Sequence, residues 1–209
     1  MAFLGVTQRP NPAWRRCCAL PLTAVLLLAA SLSTFAEAPP KTAAGREDAA
    51  YSEYQIKAAF IYKFATFVEW PKEALPPAEA PFKIGVLGKD PFHETLEQTL
   101  GANTIKDRKT AIERSSDPRD LLDCQIVFIA DSESGRIKET IELFKGHRIL
   151  TVGDMDGFAV AGGIINLVND GKKIRFEVNV DAARRAALKV SSSLLQLAQV
   201  VKETEPEEP

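Results

Sequence analysis

The run "QIVFIA" at residues 125–130 admits few architectures. A short segment that is apolar at nearly every position has no side to turn to water, so it calls for a strand covered on both faces. Strand and helix signals alternate around it. "FKIGVL" (82–87) places Phe82, Ile84 and Val86 at strand spacing, and Asp90–Pro91 is a helix start for a segment near 91–100 that Gly101 stops. Polar residues 103–116 hold one short strand around Ala111–Ile112, and Asp117–Pro118 opens a helical turn. Ile137, Ile141 and Phe144 then recur at helical spacing within 134–145, and "RILTV" (148–152) is another strand. The alternation predicts a single-domain, Rossmann-like α/β layered sheet. Its centre is largely parallel, an antiparallel hairpin closes its C-terminal side, and helices lie on both faces.

The first 36 residues read differently. They hold three arginines and no acid, an apolar run "CCALPLTAVLLLAA" (17–30) and the small-residue exit "SLSTFA". That order is a secretory signal peptide, with cleavage expected after Ala36. Its apolar run falls short of the roughly 20 residues that a membrane span needs. Residues 37–50 are expected to be a flexible lead-in, 51–201 one domain, and the acidic "KETEPEEP" at 202–209 a disordered tail. The part after the signal peptide carries 23 basic against 28 acidic residues, a net −5, with no basic patch to attract nucleic acid. It keeps one cysteine, Cys124, expected as a small buried residue at the start of a strand.

Within the domain, Ile56, Phe60, Phe64 and Phe67, thickened by Ile61 and Val68, predict one buried helical stripe from Ser52 to Trp70, where Pro71 ends the helix. Trp70 stands at that helix end before the proline-rich loop "PKEALPPAEAP"; exposed there, it would anchor a partner. Near the other end, Asp170–Gly171 suits a two-residue hairpin turn. That turn pairs Asn169 with Lys172 and Asn166 with Arg175. Ile165, Leu167, Ile174 and Phe176 then share one face, with Asn166, Lys173, Arg175 and Glu177 on the other. Asn179 or Asp181 caps a final helix whose buried side runs from Ala183 to Val201.

Catalytic signals are sparse. "GVLGKDPF" (85–92) matches no nucleotide fingerprint and is expected to be a tight turn. Asp154 and Asp156 lack further ligands at metal spacing and are expected as turn aspartates. His147 is expected at a helix C-terminus, and His93 in a helix first turn. Catalytic residues, cofactor and metal are each expected to be none, and the protein is expected not to be an enzyme.

Three segments in order carry a resemblance: "IKAAFIYKFATFVEWP", "LLDCQIVFIA" and "ILTVGDMDGFAVAGGIINLVNDGKKIRFEVNVDAARRAALKVSSSLLQLAQVV". Together they resemble the YfiR/HmsC family of small periplasmic proteins, over residues 53 to 201. The resemblance implies a periplasmic α/β regulator that is apt to dimerise. It implies binding to, and repression of, the periplasmic sensor part of an inner-membrane signalling protein, a diguanylate cyclase or a sensor kinase, with cyclic-di-GMP and biofilm growth as the output. The family's hairpin and helix-cap residues fall on Asn166, Arg175, Glu177 and Asn179. Family members can carry internal disulfides, which Cys124 alone does not allow here. The alternative is a periplasmic small-molecule binding protein, in which Arg175 holds a carboxylate and Asn166 and Glu177 complete a polar site. The polar hairpin face is thus either a recognition surface or the solvated side of a sheet.

Overall fold

The computed structural model describes residues 43–202, apart from positions 102 and 172. The segment expected to be a signal peptide and residues 203–209 lie outside the described residues. The order of elements is α1 (Ala43–Phe67), β1 (Val68–Glu69), β2 (Phe82–Leu87), α2 (Thr95–Leu100), β3 (Thr110–Ser115), β4 (Ile126–Ile129), α3 (Ile137–Phe144) and β5 (Leu150–Gly153). There follow β6 (Ile165–Asn169), β7 (Ile174–Asn179), α4 (Val180–Arg185), β8 (Lys189–Val190), α5 (Ser192–Leu195) and β9 (Gln199–Val201).

Seven strands form one sheet in the order β3-β2-β4-β5-β6-β7-β9, and β1 pairs with β8 in a separate two-stranded piece. The pairs β2·β3, β2·β4, β4·β5, β5·β6 and β7·β9 are parallel, and β6·β7 is antiparallel. The parallel centre, the antiparallel hairpin and the helix-covered faces are those that the apolar strands predict. Ile84, Val86, Ile126, Phe128, Leu150 and Val152 point into the core beneath α1 and α2. Val127 and Ile129 of β4 instead meet Leu121, Ile141 and Phe144 on the opposite face. Period-two alternation thus feeds two cores from one strand, which is why "QIVFIA" is apolar throughout.

Three local expectations are corrected. Helix α1 begins at Ala43, inside the segment expected to be a flexible lead-in, and ends at Phe67 rather than Trp70. Of the expected stripe Ile61, Phe64 and Val68 are fully buried, but Ile56 and Phe67 are exposed, and Ala58 and Ala65 complete the buried face instead. The chain leaves the helix early because Val68 and Glu69 pair antiparallel with Val190 and Lys189.

The second correction concerns the segment from Ala183 to Val201, which is not one helix. Ala187 adopts a left-handed φ of 55° and closes α4. Ser191 then caps α5, its Oγ accepting from the Leu194 amide at 3.3 Å. Serines favour caps over helix interiors, and the β-branched Val190, Val200 and Val201 favour strands, so the local preferences break the helix twice. The third concerns the start of α2. Asp90 Oδ1 accepts from the Phe92 amide at 2.7 Å, but the helix begins only at Thr95, and His93 sits at a left-handed φ of 51° instead of in a helical turn.

Candidate recognition surface

The hairpin register differs by two residues from the one that a two-residue turn implies. Asn169 pairs with Ile174, Leu167 with Phe176, Asn166 with Glu177 and Ile165 with Val178. The connection between Asn169 and Ile174 is wider than a two-residue turn: the Asp170 side chain accepts from the Lys173 amide at 2.9 Å and Asn169 Oδ1 accepts from the Gly171 amide at 2.9 Å. These side-chain acceptors stabilise the longer loop and pull Lys173 out of the ladder. A shift of two preserves the faces, so Asn166, Arg175 and Glu177 still share one side.

Their partners change, however. Asn166 Nδ2 donates to Glu177 Oε2 at 3.1 Å, whereas Arg175 lies opposite Val168 and reaches back to the turn, its Nε 2.8 Å from Asp170 Oδ2. Glu177 also lies beside Gln199 of β9, so Asn166, Glu177 and Gln199 form a polar row across three strands.

Exposure along this row runs from inside to outside. Asn166 is buried, Glu177 half-buried and Gln199 exposed. The segment after β5 folds back over the inner end. Phe158 lies against Gly153, the Cα partner of Asn166, so closely that a Cβ on Gly153 would stand 2.6 Å from its ring. The expected open polar face is therefore a partly covered one, and Asn166 Oδ1 is buried with no partner within the protein.

Two further expected contact residues are structural. Asn179 is fully buried; its Oδ1 accepts from the Ala182 amide at 2.8 Å as the cap of α4, and its Nδ2 donates to the Ala159 carbonyl at 2.8 Å. Asp181, the other expected cap, instead pairs with Arg184 at 2.9 Å. Trp70 is buried, its ring edge-on to Phe82 with centroids 5.4 Å apart. It does not present a surface anchor, because β1 turns the chain inward just before it.

A charged cluster stands where the pattern of apolar residues hides it. Lys57, on the buried side of α1, lies 2.7 Å from Asp154 Oδ2 and 2.6 Å from Glu53 Oε1. The Tyr54 hydroxyl donates to the same Asp154 oxygen at 2.9 Å, and Asn169 Nδ2 donates to Glu53 at 2.7 Å. Burial, with the Asp154 charge next, pushes the Tyr54 hydroxyl far above its ordinary value. Asp154, in the loop that follows β5, is thus a buried ion-pair member, and Asp156 lies in the turn after it. The signal available in the sequence is Lys57 itself, in step with the buried Ile61, Phe64 and Val68, since a lysine on a core face requires a buried acid.

At the N-terminal ends of the parallel strands a groove of about 480 Å³ opens, with Lys83, Cys124 and Gln125 at its base. One wall is the proline-rich loop, held by Arg108, whose Nη2 donates to the Pro76 carbonyl at 2.9 Å. The other wall is Gly146–Ile149, with His147 and Arg148 exposed at the rim. Cys124 is buried as expected, and its thiol is pushed up to about 12 by burial and by Glu113, to which Sγ donates at 3.7 Å. The turn expected within "GVLGKDPF" begins only at Gly88, because Gly85, Val86 and Leu87 belong to β2. Gly88 has a φ of 89°, and the Lys89 amide donates to Ser132 Oγ at 2.9 Å. Among the described residues no group of three or more histidine, cysteine or acidic side chains is placed to hold a metal, and no helix is long and apolar enough to cross a membrane.

Solved structures similar to the chain include a conserved domain protein from Vibrio cholerae O1 biovar eltor, at 13% identity and a TM-score of 0.48, covering 72% of this chain. Another is the ABC domain in complex with L-Trp from Streptococcus pneumonia, at 12% identity and a TM-score of 0.46, covering 71% of this chain. This chain spans 60% of the length of each. The YfiR/HmsC-like family model matches residues 54–199, the stretch from α1 to β9 that builds both cores. The chain belongs to the YfiR/HmsC-like family.

Proposed function

We propose that the protein is a periplasmic, non-enzymatic regulator that binds and represses the periplasmic sensor part of an inner-membrane signalling protein, a diguanylate cyclase. The supporting observation is the family match over residues 54–199, which takes in nearly every described element. In this reading the protein acts by occupying its partner, so its working parts are surfaces and not a catalytic centre. A homodimer and an exported chain belong to the same proposal. The test is deletion of the gene, with cyclic-di-GMP measured by mass spectrometry. The expected result is a rise, reversed by the wild-type copy; unchanged cyclic-di-GMP across growth conditions would overturn the cyclase reading.

The groove favours a second, compatible reading, in which a small ligand tunes the regulator. Its volume of about 480 Å³ falls in the range of small-molecule sites, and its proline wall is fixed in place by Arg108. His147 and Arg148 at the rim suit a small carboxylate. Amino acids and dicarboxylates screened by thermal shift would raise the melting temperature of the wild type but not of Arg148→Ala. Equal shifts in both proteins, or none in either, would count against the site.

A further inference from the structure

The base of the groove at the N-terminal strand ends has its polar groups already engaged. Gln125 Oε1 accepts from the Lys83 amide at 2.8 Å, and Nε2 donates to the Asp123 carbonyl at 3.2 Å. The Lys83 ammonium lies 2.9 Å from Glu113 Oε1, and Cys124 Sγ donates to the same carboxylate. Leu75, Pro81, Leu122 and Ile149 add apolar lining. Groups whose hydrogen bonds are made inside the protein gain little from a ligand, so selection falls to the rim. There the charges are sorted by wall. His147 and Arg148 stand on the Gly146–Ile149 wall, Glu73 stands on the proline-rich wall, and Asp123 lies just before Cys124. All four are exposed, and among the described residues none of their side chains is held in a hydrogen bond or ion pair.

Opposed walls of opposite sign select a dipolar ligand. A dicarboxylate or a diamine that spans the groove brings one end against its own sign. The size of the groove then sets the ligand's length. A space of about 480 Å³ is about 8 Å across, the span of two or three extended residues at about 3.3–3.6 Å each. A free α-amino acid carries both charges on one carbon and reaches a single wall. We infer that the groove binds a short peptide of two or three residues with free termini. Its C-terminal carboxylate lies on Arg148 and His147, its N-terminal ammonium on Glu73 and Asp123, and its apolar side chains against Leu75 and Leu122. The inference rests on the small-ligand reading of the groove and names the class of ligand.

The experiment is titration calorimetry on the purified protein with three classes of probe: apolar dipeptides and tripeptides, the free amino acids that compose them, and dicarboxylates. The peptides are expected to bind. N-acetylation or C-amidation of the tightest one is expected to weaken it at least about tenfold each. Arg148→Ala should weaken the free peptide by a similar factor without weakening its amide further. Glu73→Gln combined with Asp123→Asn should do the same for the free and the acetylated peptide. If free amino acids or dicarboxylates bind as tightly as the peptides, or bind where peptides do not, the inferred class is wrong and the small-ligand reading stands. Blocked peptides that bind as tightly as free ones also overturn it, and that comparison needs only wild type, so it decides even where a variant fails to fold. Peptide binding that none of the substitutions weakens places the ligand outside the groove and overturns the inference. Binding by none of the three classes overturns it together with the reading on which it rests.

Discussion

The ammonium of Lys57 lies 2.7 Å from Asp154 Oδ2, and both side chains are almost wholly removed from solvent. The contact ties α1 to the residue that follows β5, and the same ammonium lies 4.4 Å from the centre of the Tyr54 ring. Removing one member strands a buried charge, which costs about 3–5 kcal/mol. Lys57→Met is therefore expected to lose about that much stability in urea unfolding, and Lys57→Met with Asp154→Leu to recover most of it. A double variant as unstable as the single one would show that the pair is not what destabilises Lys57→Met.

Asn179 joins two segments through one side chain, capping α4 and holding the Ala159 carbonyl. Asn179→Ala loses the cap, at about 0.5–2 kcal/mol. It also leaves a buried carbonyl without its donor, at about 1–3 kcal/mol. Asn179→Asp keeps the cap but not the donor, so its loss in chemical denaturation is expected to differ from that of alanine. If instead Asn179→Ala left stability intact and abolished repression, the residue would belong to a contact surface after all.

The fold was legible wherever a residue's neighbours along the chain decide its environment. "QIVFIA" announces two covered faces, and "FKIGVL" its place beside that strand. The hairpin faces followed from parity, while its register did not, because Asp170 and Asn169 favour a wider loop through side-chain acceptors that a turn motif does not count. The final helix failed for a related reason: Ala and Leu spacing suggested one helix, but Ser191–Ser193 and Val190 obey local preferences and let β8 and β9 form. The candidate site was the least legible. Whether Asn166 faces water depends on Phe158 folding over Gly153, and Lys57 finds Asp154 across 97 positions of sequence.

Cys124 gives a chemical check on the groove. Its thiol, raised to about 12 by burial, holds almost no thiolate at pH 8. Iodoacetamide is expected to label it at least about 100-fold more slowly in the native protein than in guanidinium. Native-state labelling at the unfolded rate would mean that the base of the groove opens freely to solvent.

Acid stability should report the Arg114 cluster. The hydrogen bond from Arg114 holds the Glu97 carboxyl below its ordinary value of 4.5. A carboxylate depressed in the fold stabilises it above that ordinary value, and the gain is lost as pH falls through the lower folded one. Because Glu97 is 47% exposed, the contribution is screened to about 0.5 kcal/mol. Glu97→Gln is expected to melt about 1–2 °C below wild type at pH 7, with the gap closing towards acid. A gap that widened as pH fell would reverse the assigned sign.

The cover over Asn166 can be tested through the glycine that permits it. A Cβ on Gly153 would stand 2.6 Å from the Phe158 ring, which is fully buried. Gly153→Ala therefore overpacks the site and is expected to cost about 1–3 kcal/mol. Phe158→Leu alone removes ring contacts and destabilises in its own right, but it also frees the space that the new methyl needs. Together the two substitutions should cost less than the sum of each alone, with a coupling of about 1 kcal/mol in a double-mutant cycle. Strict additivity would mean that the ring does not rest on Gly153 in solution, and that the inner end of the Asn166–Glu177–Gln199 row is open.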